Sequence, residues 1–371
     1  MAGNAGRRVL FAGGGTGGHL YPAIAVADAL RARGAHVTFA GSADRLEARI
    51  VPHAGYALHA IASRALTRRL SFDLIATLWA NAVGTVQSAA LLWRDRPDAV
   101  IATGGYVCFP AVLAARALRW TRLHRAAIAL LEPNAKPGLT NRMLAPLVDE
   151  VWGAFGDADS RFAGKYVRTG VPVRASLRAL PSRDEAVASL GLDPERQTLL
   201  AMGGSQGARS INDAAIAMVR SLPSGWQLLL VTGESDYERV RAAMPAGSAT
   251  VVGYLSDPAA AYAAADLVLA RAGASTLAEL TAVGRPAILV PYPFAADDHQ
   301  TINARRFAET GAALVVADHE LPGGALQAFE RASQEPALGA LREAAARLQT
   351  GDPLATILAR VDWLTARKDE R

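Results

Sequence analysis

Short, largely apolar runs alternate along the chain with stretches whose apolar residues recur at helical spacing. In the first half the runs are Val9–Ala12, His36–Ala40, Ala57–Ile61, Ala99–Ala102, Ala127–Leu131 and Glu150–Trp152. In the second half they are Thr198–Met202, Gln227–Thr232, Thr250–Val252, Leu267–Ala270, Ala287–Val290 and Ala313–Val316. Runs of this length and composition predict strands buried on both faces. Pro22–Arg33 is a predicted helix, opened by proline and closed by Gly34. Such alternation predicts an α/β fold in which a parallel sheet is wound on both faces. Its repetition predicts two Rossmann-like, doubly wound domains.

Each half opens with the same design, a strand, a glycine-rich turn and a helix. In the first, Val9-Leu10-Phe11-Ala12 leads into Gly13-Gly14-Gly15-Thr16-Gly17-Gly18-His19. In the second, Leu199-Leu200-Ala201-Met202 leads into Gly203-Gly204-Ser205-Gln206-Gly207. Such a turn offers main-chain N–H groups and the positive end of a helix dipole, suited to phosphate or another electron-rich group. Two of them predict two similar domains facing one cleft. Gly170-Val171-Pro172-Val173-Arg174 reads as a hinge, which divides the chain into residues 1–172 and 173–350. The tail, 351–371, reads as a helix able to pack on either domain.

At 371 residues the chain exceeds one average core. The net charge of +5 and a pI near 9.6 suit an anionic ligand, a membrane surface or nucleic acid. A single cysteine, Cys108, excludes an intramolecular disulfide and fits a reducing compartment. No secretory signal is expected before the first strand, and no apolar run is expected to reach the roughly 20 residues that span a bilayer.

The first turn satisfies the dinucleotide fingerprint at Gly13, Gly15 and Gly18, which also expects an acid near the end of the second strand. That strand ends Thr38-Phe39-Ala40-Gly41, with no acid before Asp44. A nicotinamide or flavin site is thereby disfavoured, against another anion site or a purely structural turn. His19, beside the helix start, is either structural or a group that binds ligand and takes a proton from a sugar hydroxyl. In Arg271-Ala272-Gly273-Ala274-Ser275-Thr276-Leu277-Ala278-Glu279, Thr276 and Glu279 have capping-box spacing. Glu279 therefore either satisfies a backbone N–H or accepts from two ribose hydroxyls. The loop Pro291–Asn303 follows a strand and delivers polar groups as an active-site loop does. Asp297, Asp298 and His299 are adjacent, so they make a poor metal set. The Asp157–Asp159 pair reads as a solvated loop.

Two basic patches stand apart. Leu66, Leu70, Leu74 and Leu78 recur every four residues with Ile75 and Trp79 alongside, and Arg64, Arg68 and Arg69 flank them. Arg116, Arg119, Arg122 and Arg125 recur every three, interleaved with Leu118, Trp120 and Leu123. Each is either a core-packing helix with a solvated basic end or an interfacial patch on anionic lipid. No groove-reading motif accompanies them, which disfavours nucleic acid.

Taken in order, Gly14-Gly15-Thr16-Gly17-Gly18-His19-Leu20-Tyr21-Pro22, Gly104-Gly105-Tyr106-Val107, Glu132-Pro133-Asn134 with Gly138-Leu139-Thr140-Asn141, Gly203-Gly204-Ser205-Gln206-Gly207-Ala208, and segments 271–279 and 291–304 resemble the MurG family. These are the peptidoglycan N-acetylglucosaminyltransferases that convert lipid I to lipid II. The resemblance spans nearly the whole chain. It implies a GT-B glycosyltransferase fold, an inverting mechanism, no essential metal or cofactor, and a peripheral place on the cytoplasmic face of the plasma membrane. The partners it implies are UDP-N-acetylglucosamine, lipid I and an anionic membrane surface, with no nucleic acid.

By position, Thr16, Gly17, Gly18, Asn134, Arg174, Ser205, the main chain at Leu255, Ala274, Ser275, Thr276, Leu277, Ala278, Glu279 and Gln300 match the family's donor-binding positions. Arg174 or Arg271 is expected to stabilise charge on the departing UDP. His19 matches the invariant histidine, a candidate base, and Tyr106 is a second catalytic candidate. The family's C-terminal helix returns to the N-terminal domain. The chain departs from the family at Leu131 and Pro133, where His and Gln are usual, and at Val171, where Asn is usual. Arg119–Arg125 is also longer and more basic. These departures bear on the acceptor, and leave a diacylglycerol-type transferase, a UDP-N-acetylglucosamine 2-epimerase and a non-catalytic nucleotide-binding protein as alternative readings.

Overall fold

The structure is a computed structural model that describes residues 6–65, 72–155, 162, 164–204, 206–349 and 351–367. Ser205, Asp157, Asp159, Leu66, Arg68, Arg69 and Leu70 therefore lie outside the described residues. The chain forms two compact units, 1–174 with 352–371, and 175–351.

The first unit holds strands β1 (Arg8–Ala12), β2 (His36–Gly41), β3 (Ala57–Ala60), β4 (Ala99–Ala102), β5 (Ala127–Glu132), β6 (Glu150–Gly153) and β7 (Tyr166–Arg168). They form one parallel sheet in the order β3-β2-β1-β4-β5-β6-β7. Its helices are α1 (Gly17–Ala32), α2 (Leu46–His53), α3 (Phe72–Asp95), α4 (Cys108–Trp120) and α5 (Leu139–Leu144). Alternate strand residues feed two cores. Phe11, Phe39, Ile101 and Trp152 pack on one face with Leu20 and Leu30 of α1. Leu10, Val100, Ile128 and Val151 pack on the other with Val112 of α4 and Leu92 of α3. A strand filled on both faces has no polar side, which is why these runs read as continuously apolar.

The second unit holds α6 (Arg183–Leu190), β8 (Gln197–Met202), α7 (Arg209–Met218), β9 (Trp226–Val231), α8 (Tyr237–Ala243), β10 (Ala249–Val252), α9 (Ala259–Ala264) and β11 (Leu267–Ala270). It continues through α10 (Ala274–Val283), β12 (Ala287–Leu289), α11 (His299–Ala308), β13 (Ala313–Val315), α12 (Gly323–Ala332) and α13 (Ala337–Arg347). The sheet is again parallel, in the order β10-β9-β8-β11-β12-β13. In both sheets the strand order reverses beside the first strand, between β1 and β4 and between β8 and β11. Open parallel sheets bind ligands at that reversal, beyond the carboxyl ends of the strands.

The last helix, α14 (Pro353–Ala366), belongs to the first unit. The Asp352 side chain accepts from the Leu354 and Ala355 N–H groups and so starts it. Ile357, Leu358, Val361 and Leu364 then join the core under α1, and Arg360 pairs with the buried Glu150.

One expectation is corrected in α3, and one of two alternatives falls. Leu74–Asp95 within α3 does reach membrane-spanning length and apolarity, with a mean hydropathy of 1.3, although only 28% of that stretch is buried. The face carrying Ile75, Leu78 and Trp79 is not core: those residues are 65%, 55% and 72% exposed.

Candidate active site

In the first unit the turns after β1 and β4 close on each other at the strand-order reversal. A Cβ added at Gly13 would lie 2.0 Å from the Thr103 hydroxyl, and one at Gly105 would lie 2.6 Å from the Gly14 carbonyl. Gly104 adopts φ +107°, and a Cβ there would lie 2.4 Å from Nδ1 of His19. The left-handed backbone and the imidazole packed against it both require glycine at 104. His19 is the third residue of α1, whose first turn is held by Thr16, its carbonyl accepting from the His19 and Leu20 N–H groups. The Tyr106 ring borders Gly15. His19, Tyr106, Thr16, Gly17 and Gly18 therefore share one edge of this sheet. Arg174 stacks on Tyr21 of α1, 4.3 Å from the ring centre, so its guanidinium lies with this unit.

Beneath the turn, the Cys108 sulfur accepts from the Gly104 N–H at 3.1 Å and lies 3.0 Å from the Ala12 carbonyl. Burial pushes its thiol up to about 12. At pH 8 almost none of it is thiolate, so a thiol-alkylating reagent should leave the native protein unlabelled and label it once unfolded. Mass spectrometry before and after denaturant checks this; rapid labelling of the native protein would contradict it.

Asn134 follows β5, and both its N–H and its side-chain Nδ2 donate to Oε1 of Glu132, at 2.9 and 3.0 Å. Oε2 of Glu132 accepts from the Gly138 N–H and Asn141 Nδ2, at 3.0 and 2.8 Å. Burial pushes the Glu132 carboxyl up from its ordinary range while these four donors pull it down. Glu132 is thus the hub that sets Asn134. Glu47 is a second buried carboxylate at this edge, accepting from Gly15 N–H at 2.9 Å and Ser42 N–H at 3.0 Å. Sequence reasoning missed the roles of both. The one available signal was for Glu132, an acid closing an otherwise apolar strand; Glu47, among Asp44, Arg45 and Arg49, carried none.

In the second unit the corresponding turn contains Gly203 and Gly207, a Cβ on Gly207 lying 2.0 Å from the Thr232 carbonyl. The next turn leads from β11 into α10. Gly273 is its N-cap residue, so Ala274, Ser275 and Thr276 are the first three helical residues, whose N–H groups have no partner within the helix. Glu279 is then the sixth residue of α10, too far along to cap it. The capping alternative is excluded. Instead, its Oε2 accepts from the Tyr262 hydroxyl at 2.9 Å. Leu277 is buried in the unit and Ala278 is half-buried. The Gln300 Oε1 accepts from the Tyr292 N–H at 3.0 Å, which turns Nε2 toward Gly273 at the start of α10. Leu255, half-buried, lies in the loop after β10.

Arg271 is held by groups of its own unit. Its Nη1 donates to the Val290 and Pro291 carbonyls and pairs with Asp318 at 2.6 Å, and its Nη2 donates to the Ser210 hydroxyl at 2.8 Å. It is a buried strut that fixes the loop before Tyr292. Asp298 accepts from the Thr301 hydroxyl and His299 bonds to the Ala296 carbonyl, so both serve their own loop.

A family model described as the glycosyltransferase family 28 N-terminal domain matches residues 9–152, and one described as the family 28 C-terminal domain matches residues 198–353. Among relatives, one from Moorella thermoacetica is 44% identical over 368 residues, covering 95% of this chain and 97% of its own. One from Chlorobium luteolum is 44% identical over 324 residues, covering 84% and 86%. Both are named UDP-N-acetylglucosamine--N-acetylmuramyl-(pentapeptide) pyrophosphoryl-undecaprenol N-acetylglucosamine transferase. The chain belongs to this family 28 group of N-acetylglucosamine transferases. The crystal structure of Acinetobacter baumannii MurG superposes with a TM-score of 0.74 at 27% identity, covering 97% of this chain and 99% of that one. The calicheamicin glycosyltransferase CalG4, 18% identical with a TM-score of 0.67, shares the fold.

Against that family, the three departures are all interior. Leu131 is 2% exposed in the core under α1, Val171 is 6% exposed, and Pro133 is buried. In the basic loop, Arg119 is not turned to solvent either, since it pairs with the buried Asp149 at 2.9 Å.

Proposed function

We propose that this protein transfers N-acetylglucosamine from UDP-N-acetylglucosamine to the C4 hydroxyl of undecaprenyl-pyrophosphoryl-N-acetylmuramyl-pentapeptide, lipid I, giving lipid II for peptidoglycan synthesis. The carrying observation is the start of α10 in the second unit, where one helix N-terminus meets a carboxylate and an amide already held in place. Glu279, steadied by Tyr262, accepts from the ribose hydroxyls. Gln300, steadied by the Tyr292 N–H, donates to the sugar. The N–H groups of residues 274–276 and the helix dipole receive the diphosphate, and the main chain at Leu255 takes the uracil. Ser205, outside the described residues, belongs to the same proposal. The names of the relatives supply the donor and acceptor, and do not favour the diacylglycerol or epimerase readings.

In the first unit His19 takes the proton from the acceptor hydroxyl, whose oxygen attacks the anomeric carbon. The bond from that carbon to the UDP oxygen breaks, and UDP leaves with the electron pair. Dipoles fixed before the reaction stabilise that developing charge at no cost in reorganisation. Tyr106, bordering the same turn, orients the acceptor. Attack opposite the leaving group inverts the configuration, so an α-linked donor gives a β-linked product. NMR of the product disaccharide tests this: a β-1,4 linkage is expected, and an α linkage would refute the single displacement.

The protein is further proposed to rest on the cytoplasmic face of the membrane. Ile75, Leu78, Trp79, Val86 and Trp93 of α3 are exposed, and so are Trp120, the last residue of α4, and Leu123 just beyond it; α4 packs on α3. Arg64 and Arg122 are exposed in the neighbouring segments. Burying such a side chain contributes about 1.5–3 kcal/mol, and a cation near an anionic surface about 1 kcal/mol. Replacing Ile75 and Trp79 together with Glu should therefore reduce co-sedimentation with phosphatidylglycerol vesicles by more than about tenfold. Turnover of a water-soluble acceptor analogue should stay unchanged; undiminished sedimentation would place the contact elsewhere.

A further inference from the structure

The first glycine turn is met by a side chain of the protein itself. The carboxylate of Glu47 sits against it. Oε2 accepts from the Gly15 N–H at 2.9 Å, Oε1 accepts from the Ser42 N–H at 3.0 Å, and Glu47 is 0% exposed. A Cβ on Gly14 would fall 2.3 Å from Oε1, so the turn is glycine here partly to admit this side chain. Gly15 follows β1 and Ser42 follows β2, so one carboxylate staples the ends of two neighbouring strands.

A turn of this kind attracts an anion. In the first unit that anion belongs to the protein. We infer that Glu47 is a positioning residue: its carboxylate occupies the inner anion place of the first turn, keeps phosphate out of it, and fixes the start of α1 from which His19 projects. The dinucleotide reading of Gly13, Gly15 and Gly18 fails for the same reason, because the pyrophosphate would meet a buried carboxylate. The acid absent from the end of β2 arrives from α2 instead, aimed at the turn rather than at a ribose. The inference rests on His19 taking the acceptor proton in the reading above.

The test uses the full chain with UDP-N-acetylglucosamine and a lipid I analogue. Glu47→Gln keeps the size of the side chain but turns an NH2 toward one of the two N–H donors. It should hold donor KM within about twofold and lower kcat about 100-fold, the scale of loss from displacing a catalytic group by about 1 Å. Glu47→Ala removes the equivalent of one acetate. Added acetate should then raise its kcat at least about tenfold along a saturating curve, a response that a mere packing defect does not give. Chloride at equal ionic strength, or acetate on the unaltered protein, should do nothing. A Glu47→Gln kcat within about threefold of the unaltered protein, or no effect of acetate on folded Glu47→Ala, would overturn the inference. If Glu47→Ala does not fold, Glu47→Gln alone decides. His19→Ala separates the two readings. If it is fully active, His19 is not the base, and acetate rescue alone carries the placement of the turn; if it is inactive while Glu47→Gln is active, only the Glu47 inference falls.

Discussion

Replacing His19 with alanine should lower kcat about 1,000-fold, within the range that general-base catalysis contributes, and leave the affinity for UDP-N-acetylglucosamine unchanged. The split follows from placement. His19 belongs to the first unit, in the first turn of α1 and packed over Gly104. The ribose and sugar contacts proposed for the donor belong to Glu279 and Gln300 of the second. Steady-state kinetics with the donor varied, alongside calorimetric titration of the donor, measures the two effects separately. Weakened donor binding with kcat intact would make His19 a ligand-binding group instead. Gly104→Ala should mimic the kcat loss, since its Cβ would have to displace the imidazole.

The second large effect is on binding. Glu279→Ala should weaken UDP-N-acetylglucosamine binding about 10- to 100-fold, because hydrogen bonds to a charged group contribute about 1.5–3 kcal/mol and about 1.4 kcal/mol is tenfold. Stability should fall by only about 1 kcal/mol, the worth of the lost bond from Tyr262. The ordering of these effects matters. Had Glu279 capped α10, stability would fall while donor affinity stayed. Its place as the sixth residue of α10, behind the Gly273 N-cap, gives the opposite expectation. Tyr262→Phe, which removes one bond to the carboxylate and keeps the carboxylate itself, should weaken donor binding less than Glu279→Ala does. Thermal unfolding and titration of the same preparations check both; an unchanged donor affinity in Glu279→Ala would contradict the ribose assignment.

Much of the fold was legible because parallel strands buried on both faces leave uninterrupted apolar runs. The two glycine turns were legible because their backbone demands glycine. The edge strand β7 was missed: Tyr166-Val167-Arg168 is half-exposed and carries no apolar run. The exposed face of α3 was read as possible core, since a leucine every four residues marks one side of a helix without saying what covers it. Arg119 was taken with its arginine neighbours as a surface group, while its partner Asp149 lies thirty residues on.

The supporting shell of the candidate site was the least legible part, for one physical reason. Gly15 and Glu47, Tyr262 and Glu279, and Arg271 and Asp318 meet only because the fold sets segments apart in sequence side by side. Local spacing can propose a capping box at Thr276 and Glu279, but it cannot see that the N-cap is Gly273, three residues before Thr276.

The most direct measurement is UDP release from UDP-N-acetylglucosamine with and without a lipid I analogue, in detergent and with a metal chelator present. The account predicts release that depends on the acceptor, persists in chelator and matches disaccharide formation mole for mole. Donor that binds while release ignores the analogue would contradict the proposed acceptor and, with it, the proposed function.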